Sequence, residues 1–222
     1  MASPDRTAPR TTRRPSDSAQ RTRAAVLRAA IDEFAEHGLA GGRVDRIAKR
    51  AGVNKQALYY HYGDKEKLFE AALVYGYTRF EMRGIDWRSD PRPPAQLMKH
   101  IVEAFYDLVY ENRNHMALIA DENRNGGKHL TPAVVRHIRK STAAAREAIH
   151  AVLERGQRAG VFSKDIDAAA IYLAIAGLPM FYFDHHHTLS AILEENAVAP
   201  RRVAARRHDF VKIILAALRR PA

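Results

Sequence analysis

The sequence of 222 residues contains no cysteine, which excludes disulfide bonds and thiolate metal sites. It has no apolar run near the ~18 residues of a membrane-spanning helix and no visible signal peptide, so we expect a cytoplasmic protein without a membrane partner. It also lacks a phosphate-binding glycine loop, a nucleophile elbow and a His-Glu-x-x-His motif. These absences give no support to an enzyme, and we expect no cofactor.

Positive charge is abundant and unevenly distributed. The chain has 36 Lys and Arg against 25 Asp and Glu, a net charge of +11, with 46% hydrophobic residues for a sizeable core. Residues 1–67 hold 14 Lys and Arg against 8 Asp and Glu, although they form less than a third of the chain. This excess favours a nucleic-acid partner for the N-terminal region. The alternative is a generally solvated basic surface.

Turn-forming residues divide the chain into an arm and two domains. Residues 1–17 hold three prolines and four arginines, typical of a disordered basic arm that either follows the DNA minor groove or is merely flexible. The proline-rich break at 84–94 ends a bridging helix of about 64–82. We therefore expect a DNA-binding domain over 18–66 and a second domain over 67–222.

Helical periodicity extends over most of both domains, without alternating strand patterns. The sequence predicts an all-α fold in which Thr131 caps one of the long helices, with a proline at its first position. The predicted helices lie at about 18–36, 44–51, 55–61, 64–82, 94–111, 115–123, 132–158, 167–186 and 201–219.

Residues 43–65 have the pattern of a helix-turn-helix. Apolar residues recur at i, i+3, i+4 and i+7 on the first short helix: Val44, Ile47, Ala48 and Ala51. Gly52 can end that helix in the left-handed conformation, and Asn54 is a good N-cap for the next. In such a motif the second helix enters the DNA major groove.

The second short helix presents groups that suit DNA. Gln56 can pair with adenine and Lys55 with guanine, while the tyrosines can reach phosphate oxygens. Lys65 lies in the first turn of the next helix, where a phosphate is also favoured. The alternative makes the tyrosines packing residues and the lysines solvated. The predicted DNA-binding set is Arg43, Asn54, Lys55, Gln56, Ala57, Tyr59, Tyr60, His61 and Lys65.

Three segments carry a resemblance to a known family. FAEHG (34–38), IAKRAGV (47–53) and LYYHYGDKEKLF (58–69) follow one another as in the N-terminal region of TetR-family transcriptional regulators. The resemblance in sequence covers about residues 20–70. Beyond residue 70 only the layout of the chain is similar. The resemblance implies a homodimer of all-α subunits, each with a three-helix DNA-binding head and a C-terminal ligand-binding and dimerisation body, whose last two helices pack against those of the partner.

The sequence departs from the family pattern just ahead of the second helix. Family members commonly have Thr-Thr there, where a hydroxyl caps the helix and contacts phosphate, but this chain has Gly42 and Arg43. We expect the cap to be lost, although the Arg43 side chain can still reach a phosphate.

Small and apolar side chains on the last two long helices favour a dimer interface. Small residues let helices approach closely, and burying each large apolar side chain contributes about 1.5–3 kcal/mol. Alternatively, both stripes face the subunit's own core. The predicted interface residues are Ala169, Leu173, Ala176, Gly177, Phe210, Ile213, Ile214 and Ala217.

Aromatic and methionine side chains in the second domain are candidates for lining a ligand pocket, although each could equally be ordinary core. The predicted pocket residues are Phe105, Tyr106, Tyr110, Met116, Tyr172, Met180, Phe181 and Tyr182.

The run Asp184 to His187 is the strongest competing signal. Imidazole and carboxylate groups bind zinc or nickel, so a metal-responsive regulator or metal-dependent enzyme could use the His185–His187 cluster. Adjacent residues on a helix point about 100° apart, so at most two of these four side chains can share one ion. A further ligand would have to come from elsewhere, for example His115, His129 or His208. The alternative is a polar helix end where histidine is favourable, and no metal is expected.

Together these observations favour a sequence-specific DNA-binding transcriptional regulator. We expect a homodimeric repressor of a palindromic or pseudo-palindromic double-stranded operator, released by a small-molecule effector whose identity the sequence does not give. The rivals are the metal-dependent protein above and a nonspecific architectural nucleic-acid binder.

Overall fold

The computed structural model describes residues 17–78, 87 and 89–219, and within these ranges the chain forms ten helices and no strand. The all-α prediction is confirmed. An isolated antiparallel bridge joins Phe162 to Arg219. The helices are α1 (Asp17–Gly41), α2 (Val44–Ala51), α3 (Lys55–Tyr62), α4 (Lys65–Thr78), α5 (Pro94–Glu111), α6 (Arg113–Arg124), α7 (Pro132–Arg158), α8 (Ala168–Asp184), α9 (His186–Ile192) and α10 (Pro200–Leu218).

The helices form a head of α1–α3 and a body of α5–α10, with α4 packed against both. Helix α4 contacts α1 on one side and α6 and α7 on the other. In the body, α5 lies against α7, α8 and α10. One continuous apolar core extends from Val26 in α1 to Leu218 in α10.

Two helix ends differ from the sequence prediction. Helix α1 continues to Gly41, but Gly38 breaks its geometry with a φ of 64° and a ψ of 177°. The predicted helix over 167–186 instead ends at Asp184, because His185 leaves the helical conformation, and the separate helix α9 follows. In the described residues, no single helix is long and apolar enough to cross a membrane, and α8 with α9 meets that test only as a pair bent by 74°.

Part of the predicted linker is described and is fastened to the body. The Asp90 carboxylate accepts hydrogen bonds from the Arg92 side chain at 2.7–3.1 Å, which lowers the pKa of Asp90 to about 2. The Arg155 guanidinium of α7 donates to the carbonyl oxygens of Asp90 and Arg92. The expectations for the arm over 1–16 and for the bridging helix beyond residue 78 fall outside the described residues.

Candidate functional site

Helix α3 presents a polar face on a buried framework. Asn54 caps it as predicted, accepting the Ala57 N–H at 2.8 Å. Leu58 is fully buried, and the Tyr62 hydroxyl donates to the Arg23 carbonyl oxygen at 2.9 Å. These contacts fix the rotation of α3 about its axis. Its opposite side is therefore left to solvent.

The predicted DNA-contact residues fall on this open side to different degrees. Lys55, Gln56, Tyr59 and Tyr60 are exposed, with Tyr60 at 85%, whereas Ala57, His61 and Lys65 are partly buried. The Lys55 ammonium lies 2.6 Å from the Asp45 carboxylate of α2. The Lys65 ammonium donates to the Ala40 carbonyl oxygen at 3.4 Å. Both lysines therefore have intramolecular partners that a phosphate or a base would have to replace.

A buried carboxylate binds the backbone at the N-cap position of α2. The Arg43 side chain makes no cap hydrogen bond, as expected. Its backbone N–H instead donates to Glu33 Oε1 at 2.9 Å, and Arg46 Nε donates to the same oxygen at 2.7 Å. Burial alone would raise the pKa of the Glu33 carboxyl, but the hydrogen bonds from Arg46 and Arg43 outweigh it and hold the pKa below 4.5. Glu33 was not among the predicted site residues.

Gly42 allows α1 and α2 to approach closely. A Cβ atom at this position would lie 2.6 Å from Phe34 Cδ1, and the Phe34 ring is completely buried. At the departure at 42 and 43, Glu33 therefore holds the Arg43 N–H and the Arg46 side chain, and glycine makes room for Phe34.

The body contains a cavity of about 250 Å³. Four of the eight predicted pocket residues line it: Phe105, Met116, Tyr172 and Met180. The lining residues that the sequence analysis missed are Tyr77, Ile119, Asn123, Thr142, Ala145 and Ala176. Thr142 gives the clearest missed signal, because it is a polar residue close to the buried Ser141 and Ala145.

The other four predicted pocket residues lie elsewhere. Tyr106 and Tyr182 are buried core residues whose hydroxyls donate to the carbonyl oxygens of Val203 and Ala197. Tyr110 packs on Phe183. Phe181 faces solvent and stacks on His185, with ring centroids 4.4 Å apart. Helical periodicity identified this apolar set but could not separate cavity lining from core.

An apolar stripe on α8 and α10 is exposed in the single subunit. Ala169, Leu173 and Gly177 follow one another at intervals of four on α8, and Leu173 is 67% exposed. Ile213 and Ala217 are exposed on α10. We call these five residues the apolar stripe.

Three predicted interface residues are not part of the apolar stripe. Phe210 and Ile214 are buried in the subunit's own core, against α5 and α8, so the expectation that they face a partner is wrong. Ala176 is half-buried and lines the cavity instead. The register of α10 decides this, because Ile213 and Ile214 point about 100° apart.

Helix α6 connects the cavity to the head. Its residues Met116, Ile119 and Asn123 line the cavity. Asp121 of the same helix accepts the Leu39 N–H at 3.2 Å, and a Cβ at Gly38 would lie 3.1 Å from its carboxylate oxygens. A movement of α6 would therefore displace α1 at its kink, at Gly38.

The histidine cluster does not converge on one point. His185 Nδ1 lies 3.0 Å from the Phe181 carbonyl oxygen, and His186 Nδ1 lies 2.8 Å from that of Phe183. His129 is engaged by the buried Glu122, with 2.9 Å between its Nδ1 and the carboxylate. Among the described residues, no group of three or more His, Asp or Glu side chains is placed to hold a metal ion. The metal-dependent alternative is not favoured.

Two family models match the chain. A model of bacterial regulatory proteins of the tetR family matches residues 26–72. A model of the tetracyclin repressor-like C-terminal domain matches residues 94–214. The two matches lie on the head with the start of α4 and on the body.

Individual relatives agree with these models. The HTH-type transcriptional repressor NicS of Pseudomonas putida is 33% identical over 178 residues, which cover 80% of this chain and 83% of NicS. The HTH-type transcriptional repressor SCO4008 of Streptomyces coelicolor is 52% identical over 52 residues, which cover 23% of this chain and 27% of SCO4008. The solved structure of SCO4942, a candidate transcriptional regulator of Streptomyces coelicolor, superposes with a TM-score of 0.64 at 27% identity, covering 90% of this chain and 99% of that one.

Proposed function

The chain belongs to the TetR family of bacterial transcriptional regulators, and we propose that it is a homodimeric repressor of a pseudo-palindromic operator, released when a small molecule occupies the body cavity. The exposed polar face of α3 carries this proposal, since a capped helix held by Leu58 and Tyr62 is suited to enter a major groove. A regulator that binds bacterial DNA would act in the cytoplasm.

Base reading falls to the first turn of α3 in this proposal. Gln56 is exposed, and its amide can pair with adenine N6 and N7. Lys55 can exchange Asp45 for guanine O6 or N7. Tyr59 and Tyr60 would donate to phosphates on either side, and Arg43 would reach the backbone from the start of α2. These contacts would position the head and read its half-site.

Dimerisation is supported by the apolar stripe. A palindromic operator places its half-sites roughly 34 Å apart, so that two heads are needed to read it. Exposed apolar side chains of this size on two adjacent helices are suited to pack against their symmetry copies. The small residues Ala169, Gly177 and Ala217 would let the helices of the two subunits approach closely.

Release would follow from a difference in effector affinity between two arrangements of the dimer. An effector in the cavity touches α6 and α4, through Met116, Ile119 and Tyr77. Both helices also contact α1. Occupancy would therefore favour one angle of the head relative to the body, and hence one spacing of the two α3 helices.

Replacing Gln56 with alanine is expected to cost about 1–3 kcal/mol on the cognate site and to relax base preference at one position of each half-site. The operator is found by footprinting the DNA beside the gene, and affinities are measured on single-base variants of it. Gln96→Ala removes an exposed amide from the first turn of α5 and serves as control. Unchanged affinity and preference in Gln56→Ala would refute the assignment of α3. A low ratio of specific to nonspecific affinity in the unmodified protein would indicate an architectural binder instead.

Replacing Asp121 with alanine is expected to uncouple the cavity from the head. Effectors are found by screening small molecules for release of the operator complex. Allosteric coupling of this kind changes operator affinity by about 5- to 150-fold between the effector-free and the effector-bound protein. In Asp121→Ala, this ratio of the two affinities should approach one. Effector affinity without DNA should stay near the normal value. Glu111→Ala, which removes an exposed carboxylate from the end of α5, should keep the full ratio. A full ratio in Asp121→Ala would mean that coupling does not need the hydrogen bond between Leu39 and Asp121.

A further inference from the structure

The proposed function leaves the effector unidentified, and the lining of the cavity limits what it can be. Resting on that function, we propose that the effector is an uncharged aromatic molecule of about two fused rings with one hydrogen-bond donor, such as a hydroxyl or N–H group.

The size of the cavity indicates how much of a ligand it can enclose. Filled at the packing density of protein interiors, ~0.75, a volume of about 250 Å³ holds roughly 190 Å³ of ligand atoms. Pockets for drug-sized molecules begin at about 300 Å³. Two fused rings with a short substituent fit this space, whereas a long acyl chain or a macrocycle would extend out of it.

The lining provides no charge for a charged ligand. None of the described side chains that line the cavity is acidic or basic. The Glu122 carboxylate of α6 is buried and accepts from His129 N at 2.6 Å, with His129 Nδ1 at 2.9 Å. The Arg146 side chain is exposed and lines a surface groove on the other side of Tyr172, which it shares with the cavity. A carboxylate or ammonium group would lose its hydration in the cavity without gaining a partner of opposite charge.

The aromatic and sulfur groups favour a flat ligand. Phe105, Tyr172 and Tyr77 supply three rings, and Met116 and Met180 supply flexible thioethers that pack well on ring edges. Such a lining offers contacts to both faces and edges of an aromatic system. A branched aliphatic molecule of equal volume would gain fewer of them.

Two polar groups of the lining can accept a hydrogen bond from a donor on the ligand. The Thr142 hydroxyl already donates to the Ile138 carbonyl oxygen at 2.9 Å, and the Asn123 amide nitrogen to that of Ile119 at 2.8 Å. Each side chain therefore presents its oxygen as an acceptor. Burial raises the pKa of the Tyr77 and Tyr172 phenols, so both keep their protons. A single ligand hydroxyl or N–H can satisfy an acceptor here.

Three probes of one shape test the charge. Isothermal titration of the full-length protein at neutral pH uses 2-naphthalenemethanol, 2-naphthoate and 2-naphthylmethylammonium, which are neutral, anionic and cationic. The neutral alcohol should bind more tightly than either ion by about tenfold or more. Equal or tighter binding of either ion overturns the proposal, and so does the absence of binding by all three.

Two variants test where the ligand binds and whether its hydrogen-bond donor meets Thr142. Ala145→Leu fills the cavity and should abolish binding of the alcohol, whereas Ala144→Leu, at the exposed neighbouring position of α7, should not. Thr142→Val keeps the shape but removes the acceptor and should weaken binding of the alcohol by about fivefold. Unchanged binding in Ala145→Leu, or unchanged binding in Thr142→Val, overturns the proposal.

A footprint of the ligand-free protein on its operator separates this proposal from the function on which it rests. An intact footprint with the wrong order of probe affinities refutes only the ligand class. A missing footprint refutes the proposed function, whatever the probes do.

Discussion

Replacing Leu173 with aspartate is expected to dissociate the dimer and to lower operator affinity by about a hundredfold or more. The side chain is 67% exposed at the middle of the apolar stripe on α8. In a two-fold interface the substitution occurs twice, and each carboxylate would be buried without a partner. A loss of about 2.7 kcal/mol already corresponds to a hundredfold. A single head bound to one half-site would also lose the contribution of the second.

Sedimentation and operator titration check this expectation together. Ile192→Asp is the matched control, because Ile192 is 69% exposed but lies on α9, away from the apolar stripe. This control should remain dimeric and bind the operator normally. A dimeric Leu173→Asp protein would show that the subunits associate through another surface, and it would remove the support that the stripe gives to the homodimer.

Replacing Glu33 with alanine should destabilise the head by about 2–3 kcal/mol. Glu33 is 1% exposed, and its loss leaves the Arg43 N–H without an acceptor and the Arg46 guanidinium with only the Gly41 carbonyl oxygen. We expect a smaller loss of unfolding free energy than for breaking a fully buried ion pair, because the Arg46 side chain is 42% exposed. Urea unfolding followed by circular dichroism measures the change. A loss below about 0.5 kcal/mol would show that the carboxylate does not hold the α1–α2 junction.

The same carboxylate gives a signed pH dependence. Its pKa is lower in the folded head than in the unfolded chain, so its contribution is complete above about pH 4.5 and is lost as the pH falls through the folded value. Glu33→Gln cannot ionise, and the stability difference between it and the unmodified protein should therefore shrink from pH 7 to pH 3. A difference that stays constant with pH would exclude Glu33 as the titrating group.

Local sequence signals determined most of the fold. Gly52 and Asn54 define the turn between α2 and α3, and Thr131 with the following proline starts α7, because caps and prolines act through neighbouring backbone groups. The break at His185 was missed, since nothing in the local composition opposes a longer helix there. Pro179 inside α8 does not end the helix at all.

The sites were predicted less completely, because they depend on contacts between distant residues. Glu33 lies between the buried residues Ile31 and Phe34, and only its distance to Arg46 reveals its role. Asn123 and Thr142 meet across the cavity from different helices. Periodicity indicates which side of a helix is apolar, but whether that side meets its own core, an empty space or a second subunit depends on packing, as Phe210 and Ile213 demonstrate.

Two attachments within the head end on α1. Glu33 ties α2 to it, and the Arg23 carbonyl oxygen holds α3 through Tyr62. The three helices of the head therefore move together as one unit with little internal freedom. This unit carries Gln56, which would read a base in the half-site. The head meets the rest of the subunit where α1 contacts α4 and α6 and where α3 contacts α4. A rotation of a few degrees there would be magnified at the far tip of α3, so an effector would need to displace the cavity wall very little to put the two heads out of step with the DNA.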